Sequence, residues 1–191
     1  MNLGFIGSGK IASSVIRGIC NSKIKYSRIF ISLRNKKISS KLKKEFKKVN
    51  VLKNNQEIVD KSNWVFLSVT PNVGSKIIKN LKFRSNQIII SFISTITLPE
   101  LKKMIKVKSV IVRAIPLPPI SIKKGPVPIY PPNKKVKFFF DKIGTSIEIK
   151  NEKLSKNFWA ISGTMASFYE LLNVLSNWLI RKKTNKLDAQ R

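Results

Sequence analysis

Gly4-Phe5-Ile6-Gly7-Ser8-Gly9-Lys10-Ile11-Ala12 is the stretch on which the fold turns. An apolar run from Asn2 to Ile6 leads into it, and Val15, Ile16 and Ile19 follow at helical spacing, so it reads as strand, glycine turn and helix. In that context Gly7-x-Gly9-x-x-Ala12 carries a mechanism that an isolated Gly-x-Gly lacks. Gly7 permits the tight turn, Gly9 lets the backbone approach a pyrophosphate, Ala12 allows close helix-to-sheet contact, and the helix N-terminus offers amide N–H groups to phosphate. Gly7, Ser8, Gly9, Lys10 and Ile11 are therefore expected to cradle the phosphates of a dinucleotide. The alternative is a tight strand-helix turn without a ligand.

Working outward, a second apolar strand is expected over 28–32 and a basic helix over 36–48, which makes the first fifty residues a βαβ unit. Further strands are expected at 49–52, 64–69, 87–92 and 109–113, with helices near 56–61, 73–81 and 99–105. This alternation predicts an α/β fold with a doubly wound, mainly parallel sheet. Pro116, Pro118, Pro119, Pro126, Pro128, Pro131 and Pro132 bar a continuous helix from the next segment. Residues 127–130 and 146–149 are expected there as late edge strands around a helix near 134–143. The pattern then changes. Leu154, Phe158, Ile161, Met165, Phe168, Leu172, Leu175 and Leu179 step by four and three residues, predicting one long helix with a heptad-like seam. Leu171, Val174 and Trp178 widen that apolar face, which calls for a partner such as a second subunit. The expected domains are 1–152, binding the dinucleotide, and 153–191, the first long helix of a second domain.

The second strand ends in Ser32-Leu33-Arg34-Asn35. An acidic side chain at this place would hold the ribose hydroxyls of NAD, and none is present. Arg34 is suited to a bidentate pair with a 2′-phosphate, and Ser32 and Asn35 are candidate hydrogen-bond donors, so NADP(H) is favoured over NAD(H). The alternative for Arg34 is one more surface cation.

Composition narrows the chemistry. The 191 residues hold 38 Lys and Arg against 9 Asp and Glu, a net charge of +29, yet 42% are hydrophobic, too apolar for a disordered basic tail. The absence of His removes the usual triad base and the commonest zinc ligand. One Cys, Cys20, can form neither an internal disulfide nor a Cys-rich metal site, and it reads as a buried thiol. The cations are mostly Lys and are scattered from Lys10 to Lys186, without an RNA-binding aromatic motif, so no specific nucleic-acid partner is expected. No apolar run reaches the ~18 residues of a membrane span, and strand-like sequence from Asn2 leaves no room for a leader; a cytoplasmic protein is expected.

The opening nonapeptide resembles that of the pyrroline-5-carboxylate reductases. Leu33-Arg34-Asn35, Asn55-Gln56-Glu57, Leu67-Ser68-Val69-Thr70-Pro71, Ile90-Ser91-Phe92, Val112-Arg113-Ala114-Ile115-Pro116 and Ile161-Ser162-Gly163-Thr164 follow in that family's order and spacing. The resemblance implies a Rossmann-like NADP-binding domain, a helical dimerisation domain that makes the chain a homo-oligomer through residues 154–179, and reduction of a small cyclic imine to proline. It also implies that Asn55 contacts the adenosine side of the cofactor. Val69, Thr70 and Pro71 would line the nicotinamide ribose, and Ser162, Gly163 and Thr164 would hold the substrate carboxylate. Each has a structural alternative: Asn55 as a helix cap, Pro71 as a turn residue, Thr164 as a hydroxyl bonded within its own helix. Lack of His suits an imine, whose protonation near neutral pH can come from solvent.

The departures concern the substrate. Thr70-Pro71 stands where the family has Lys-Pro, and Ile115-Pro116-Leu117 where it has Met-Pro-Asn. Ser162-Gly163-Thr164-Met165-Ala166-Ser167 stands for Ser-Gly-Ser-Gly-Pro-Ala, with Met165 bulky where a glycine is usual. The family also continues through further helices that supply a substrate-contacting Thr, so the chain reads as a fragment or as a shortened, self-associating relative. Alternatives are a non-catalytic NADP-binding or dimerisation module and a related oxidoreductase with another substrate. A β-hydroxyacid dehydrogenase is disfavoured, because residues 168–173 hold no Lys.

Overall fold

The central strands are runs of Ile, Val, Leu and Phe buried on both faces, as a sheet covered by helices on both sides requires. The computed structural model describes residues 1–190, and the side chains of all of these except 156, 159 and 162. Along the chain the elements are β1 (Leu3–Ile6), α1 (Lys10–Cys20), β2 (Ile29–Ser32), α2 (Lys36–Glu45), β3 (Val49–Leu52), α3 (Asn55–Lys61), β4 (Trp64–Leu67) and α4 (Pro71–Lys79). There follow β5 (Ile88–Ser91), α5 (Leu98–Met104), β6 (Val110–Ala114), a 3-10 turn (Pro118–Ile122), β7 (Pro126–Tyr130), α6 (Lys134–Phe140) and β8 (Thr145–Glu148). A second 3-10 turn (Glu152–Leu154) precedes α7 (Ser155–Gly163), α8 (Met165–Arg181) and α9 (Lys186–Ala189). The chain divides into two compact units, Met1–Glu152 and Lys153–Arg191.

The strands of the first unit form one sheet in the order β3-β2-β1-β4-β5-β6-β7-β8. Every pairing is parallel except β6 with β7. This is the Rossmann-like, doubly wound order, with the chain reversing its direction of travel between β1 and β4. Alternating side chains feed two cores. Leu3, Phe5 and Phe66 face one, where Phe5 and Phe66 stack with centroids 4.4 Å apart. Ile6, Val65 and Leu67 face the other with Ile58, Ile78 and Ile89. Polar side chains set the helix starts: Asn35, Asn54 and Asn133 cap α2, α3 and α6, and Thr97 with Glu100 forms a capping box on α5. Arg113 is buried at the end of β6, where it pairs with Glu152 and donates to the Ser94 carbonyl.

Three expectations need correction. β7 is an interior strand, with β6 and β8 as neighbours, and of these two late strands β8 alone is an edge. Its prolines are tolerated because no N–H is needed from them: the antiparallel ladder with β6 pairs only Arg113 with Tyr130 and Ala114 with Ile129, and Pro128 meets that side through its carbonyl, which accepts from Ile115 N–H at 3.1 Å. Cys20 is half-buried, and its sulfur accepts the Tyr26 hydroxyl at 3.3 Å. The single long helix is two helices. At the joint the Thr164 amide and hydroxyl both donate to the Ile161 carbonyl, at 3.1 and 2.7 Å, a three-residue closure that ends the i→i−4 ladder of α7. The ladder of α8 begins afresh with Phe168 N–H on the Thr164 carbonyl. The heptad-like seam is thus split, and Phe168, Leu171, Leu172, Leu175, Trp178 and Leu179 stand exposed along α8.

Candidate functional site

The glycine turn between β1 and α1 is built for close approach. Gly7 has φ +106°, and a Cβ there would lie 2.4 Å from the Ser68 carbonyl oxygen, so only glycine fits. Gly9 differs: its φ is −78°, and a Cβ would meet nothing within 4 Å. No atom of this chain demands glycine at position 9, and the space beside it opens to the outside. Gly9 is also the N-cap of α1 and has no side chain with which to close the helix end. The first i→i−4 bond runs from Ser13 N–H to the Gly9 carbonyl at 3.0 Å, which leaves the Lys10, Ile11 and Ala12 amides ahead of the ladder. With no acidic residue in its first turn, α1 presents an uncompensated positive end. The turn thus fits a phosphate group, as a cradle that a side chain would fill.

The turn is fixed from behind. Ser32 Oγ accepts the Gly7 amide at 3.0 Å and itself lies 2.7 Å from Asn55 Oδ1 and 3.3 Å from the Phe5 carbonyl. Ser8 Oγ accepts the Asn35 amide at 3.1 Å, while Asn35 Oδ1 accepts from Ile38 N–H to cap α2. Ser32 therefore serves the scaffold and is not a free donor for a ligand. Asn35 spends its side-chain oxygen on the helix.

A cleft of about 900 Å³ lies outside the carboxyl ends of the strands, at the switch point of the sheet. It brings together Gly7, Ser8, Gly9, Arg34, Asn35, Val69 and Thr70 of the expected residues. Lys10 and Ile11 open α1 behind the turn, and Pro71 opens α4 just past Thr70. Asn55 is not in the cleft. It lines a neighbouring hollow with Asn54 and Gln56, and the cap of α3 is Asn54, so Asn55 is neither the helix cap nor a wall of the main cleft. Gly163 ends α7 and Thr164 is the joint, both in the second unit; the side chain of Ser162 lies outside the described residues. The Thr164 hydroxyl is bonded within its own segment, as its structural alternative supposes.

Four residues of the cleft were not anticipated: Leu33, Lys36, Lys53 and Ser68. Lys53 was legible in principle, because it follows β3 and parallel sheets bind ligands beyond their carboxyl strand ends. Arg34, Lys36 and Lys53 give the cleft three cations, and no carboxylate lines it. Among the described residues there is no cluster of three metal-ligating side chains, and no helix is long and apolar enough to cross a membrane.

Sheet order, glycine turn and crevice together define a Rossmann-type α/β protein. A family model described as "NADP oxidoreductase coenzyme F420-dependent" matches residues 2–95. Pyrroline-5-carboxylate reductase 3 of Danio rerio is 30% identical over 128 residues, 65% of this chain and 44% of that protein. Pyrroline-5-carboxylate reductase of Arabidopsis thaliana is 31% identical over 103 residues, 53% of this chain and 37% of that protein. Over these stretches the chain is similar to pyrroline-5-carboxylate reductases. It spans less than half the length of these curated relatives in the matched region. The fold is shared with the Plasmodium falciparum pyrroline carboxylate reductase solved with NADP bound, at a TM-score of 0.83 and 22% identity, over 100% of this chain and 73% of that one.

Proposed function

We propose that the protein binds NADP(H) in the cleft above β1 and β2 and serves reduction of a cyclic imine, 1-pyrroline-5-carboxylate being the substrate that the family suggests. The observation that carries the reading is the pairing of an open glycine turn with a cation-lined, carboxylate-free wall. The Lys10, Ile11 and Ala12 amides hold the pyrophosphate, and Arg34 at the end of β2 meets the 2′-phosphate. Val69 and Thr70 border the other end of the cleft and position the nicotinamide ribose. When bound, NADPH supplies a hydride. What the chain contributes to that chemistry is orientation, since an iminium carbon is already electrophilic and its proton can come from solvent. In the second unit, residues 162–164 contact the substrate carboxylate, and the exposed face of α8 carries self-association.

A second reading, cofactor binding without turnover, is favoured by one feature. Met165 begins α8 immediately after the joint, where a flexible glycine backbone would better wrap a small carboxylate. One assay separates the two. Loss of reduced-nicotinamide absorbance on adding pyrroline-5-carboxylate, faster with NADPH than with NADH, supports the reductase. Saturable NADPH binding with no turnover supports the second reading.

A further inference from the structure

We infer that Lys53 is a specificity determinant, a second cation that reads the ribose 2′-phosphate beside Arg34; the inference rests on the dinucleotide reading above. Strands β2 and β3 run parallel, with Ser32 in register with Leu52, and Leu33 N–H donates to the Leu52 carbonyl at 3.0 Å. The two strands therefore end level. Arg34 and Lys53, two and one residues beyond those ends, enter the same cleft from neighbouring strands. Lys36 joins them from the first turn of α2.

Several polar side chains at this end of the cleft also serve the scaffold. Ser32 Oγ holds the Gly7 amide, Ser8 Oγ holds the Asn35 amide, and Asn35 Oδ1 caps α2. Asn54, next to Lys53, spends its side-chain oxygen on Gln56 N–H. The Asn35 side-chain NH2 and the Ser8 hydroxyl can still donate as neutral partners, so neutralising the charge of a dianion falls to the cations. Among the described residues none of Arg34, Lys36 and Lys53 has a carboxylate within salt-bridge distance, although five such pairs occur elsewhere. A phosphate monoester would receive a planar, bidentate partner from Arg34 and a flexible ammonium from Lys53. The 2′-hydroxyl of NAD would offer neither a charge to neutralise.

Lys53 also borders the neighbouring hollow that Asn55 lines. It lines both spaces and so marks the border between them.

The test is the ratio of NADH to NADPH dissociation constants, measured by nicotinamide fluorescence at low salt for the wild type, Lys53→Met, Lys53→Arg and Lys44→Met. Thermal melts confirm that each variant folds. Lys44 lies on α2 away from the cleft and controls for the general field of a protein with net charge +29. Lys53→Met is expected to weaken NADPH about tenfold and leave NADH unchanged, with Lys53→Arg retaining most of the discrimination and Lys44→Met all of it. Equal weakening of both nucleotides by Lys53→Met, no weakening of either, or an equal effect from Lys44→Met would overturn the assignment while leaving the dinucleotide reading intact. A wild type that binds neither nucleotide overturns both.

Discussion

Ser32 Oγ accepts the amide of Gly7 at 3.0 Å, joining the end of the second strand to the turn that follows the first. Gly7 cannot carry a side chain, and its N–H points away from the helix it precedes, so a buried acceptor from elsewhere is needed. The serine at the end of β2 supplies it. Ser32→Ala leaves a buried donor without a partner and is expected to cost about 1–3 kcal/mol of stability. Gly7→Ala should cost at least about 2 kcal/mol, because it adds a left-handed penalty to a clash with the Ser68 carbonyl. Urea unfolding measures both, and wild-type midpoints in either variant would contradict this account of the turn.

The alternation of strand and helix was readable because buried parallel strands are apolar at nearly every position. Observed strand limits fall within a residue or two of the expected ones from β1 to β8. What escaped depends on contacts between elements distant in sequence. That β7 has two neighbours is a matter of tertiary pairing, and its prolines suggested an edge. The cap of α3 is Asn54, not Asn55, and two adjacent asparagines cannot be told apart by type. The break at Thr164 lies inside an unbroken apolar seam, where periodicity continues although the hydrogen-bond ladder does not. In the cleft the glycines and Arg34 were legible from local pattern. Lys53 could be found only by combining its place after β3 with the strand order, and Lys36 not from pattern at all, since a chain with 38 basic residues offers many such cations.

The capping box on α5 gives a pH dependence. The Glu100 carboxylate accepts from the Thr97 hydroxyl and amide, both at 2.7 Å, and these bonds hold its pKa below the usual carboxylate range. A carboxyl with a depressed folded pKa adds stability that is complete above its unfolded value, about 4.3, and is lost as pH falls through the folded value. Glu100→Gln should therefore flatten the acid limb of the stability curve, as read by urea midpoints across that range. An unchanged acid slope would remove Glu100 from the account.

The apolar face of α8 predicts association. Leu175 and Trp178, 51% and 52% exposed, belong to a stripe that a soluble helix seldom leaves bare. Leu175→Lys is expected to shift the protein toward monomer in sedimentation velocity while leaving the melting of the first unit unchanged. Identical sedimentation of wild type and variant at all concentrations would exclude α8 as the contact.

The central claim is that the space beside Gly9 belongs to a dinucleotide phosphate, and titration of wild type and Gly9→Val with NADPH tests it most directly. No atom of the chain lies within 4 Å of a Cβ at that position, so the valine side chain enters only the space assigned to the ligand. The account predicts saturable binding by the wild type, a loss of at least about tenfold in Gly9→Val, and a fold that survives the substitution within about 1 kcal/mol. Equal NADPH affinity in the two proteins would contradict it.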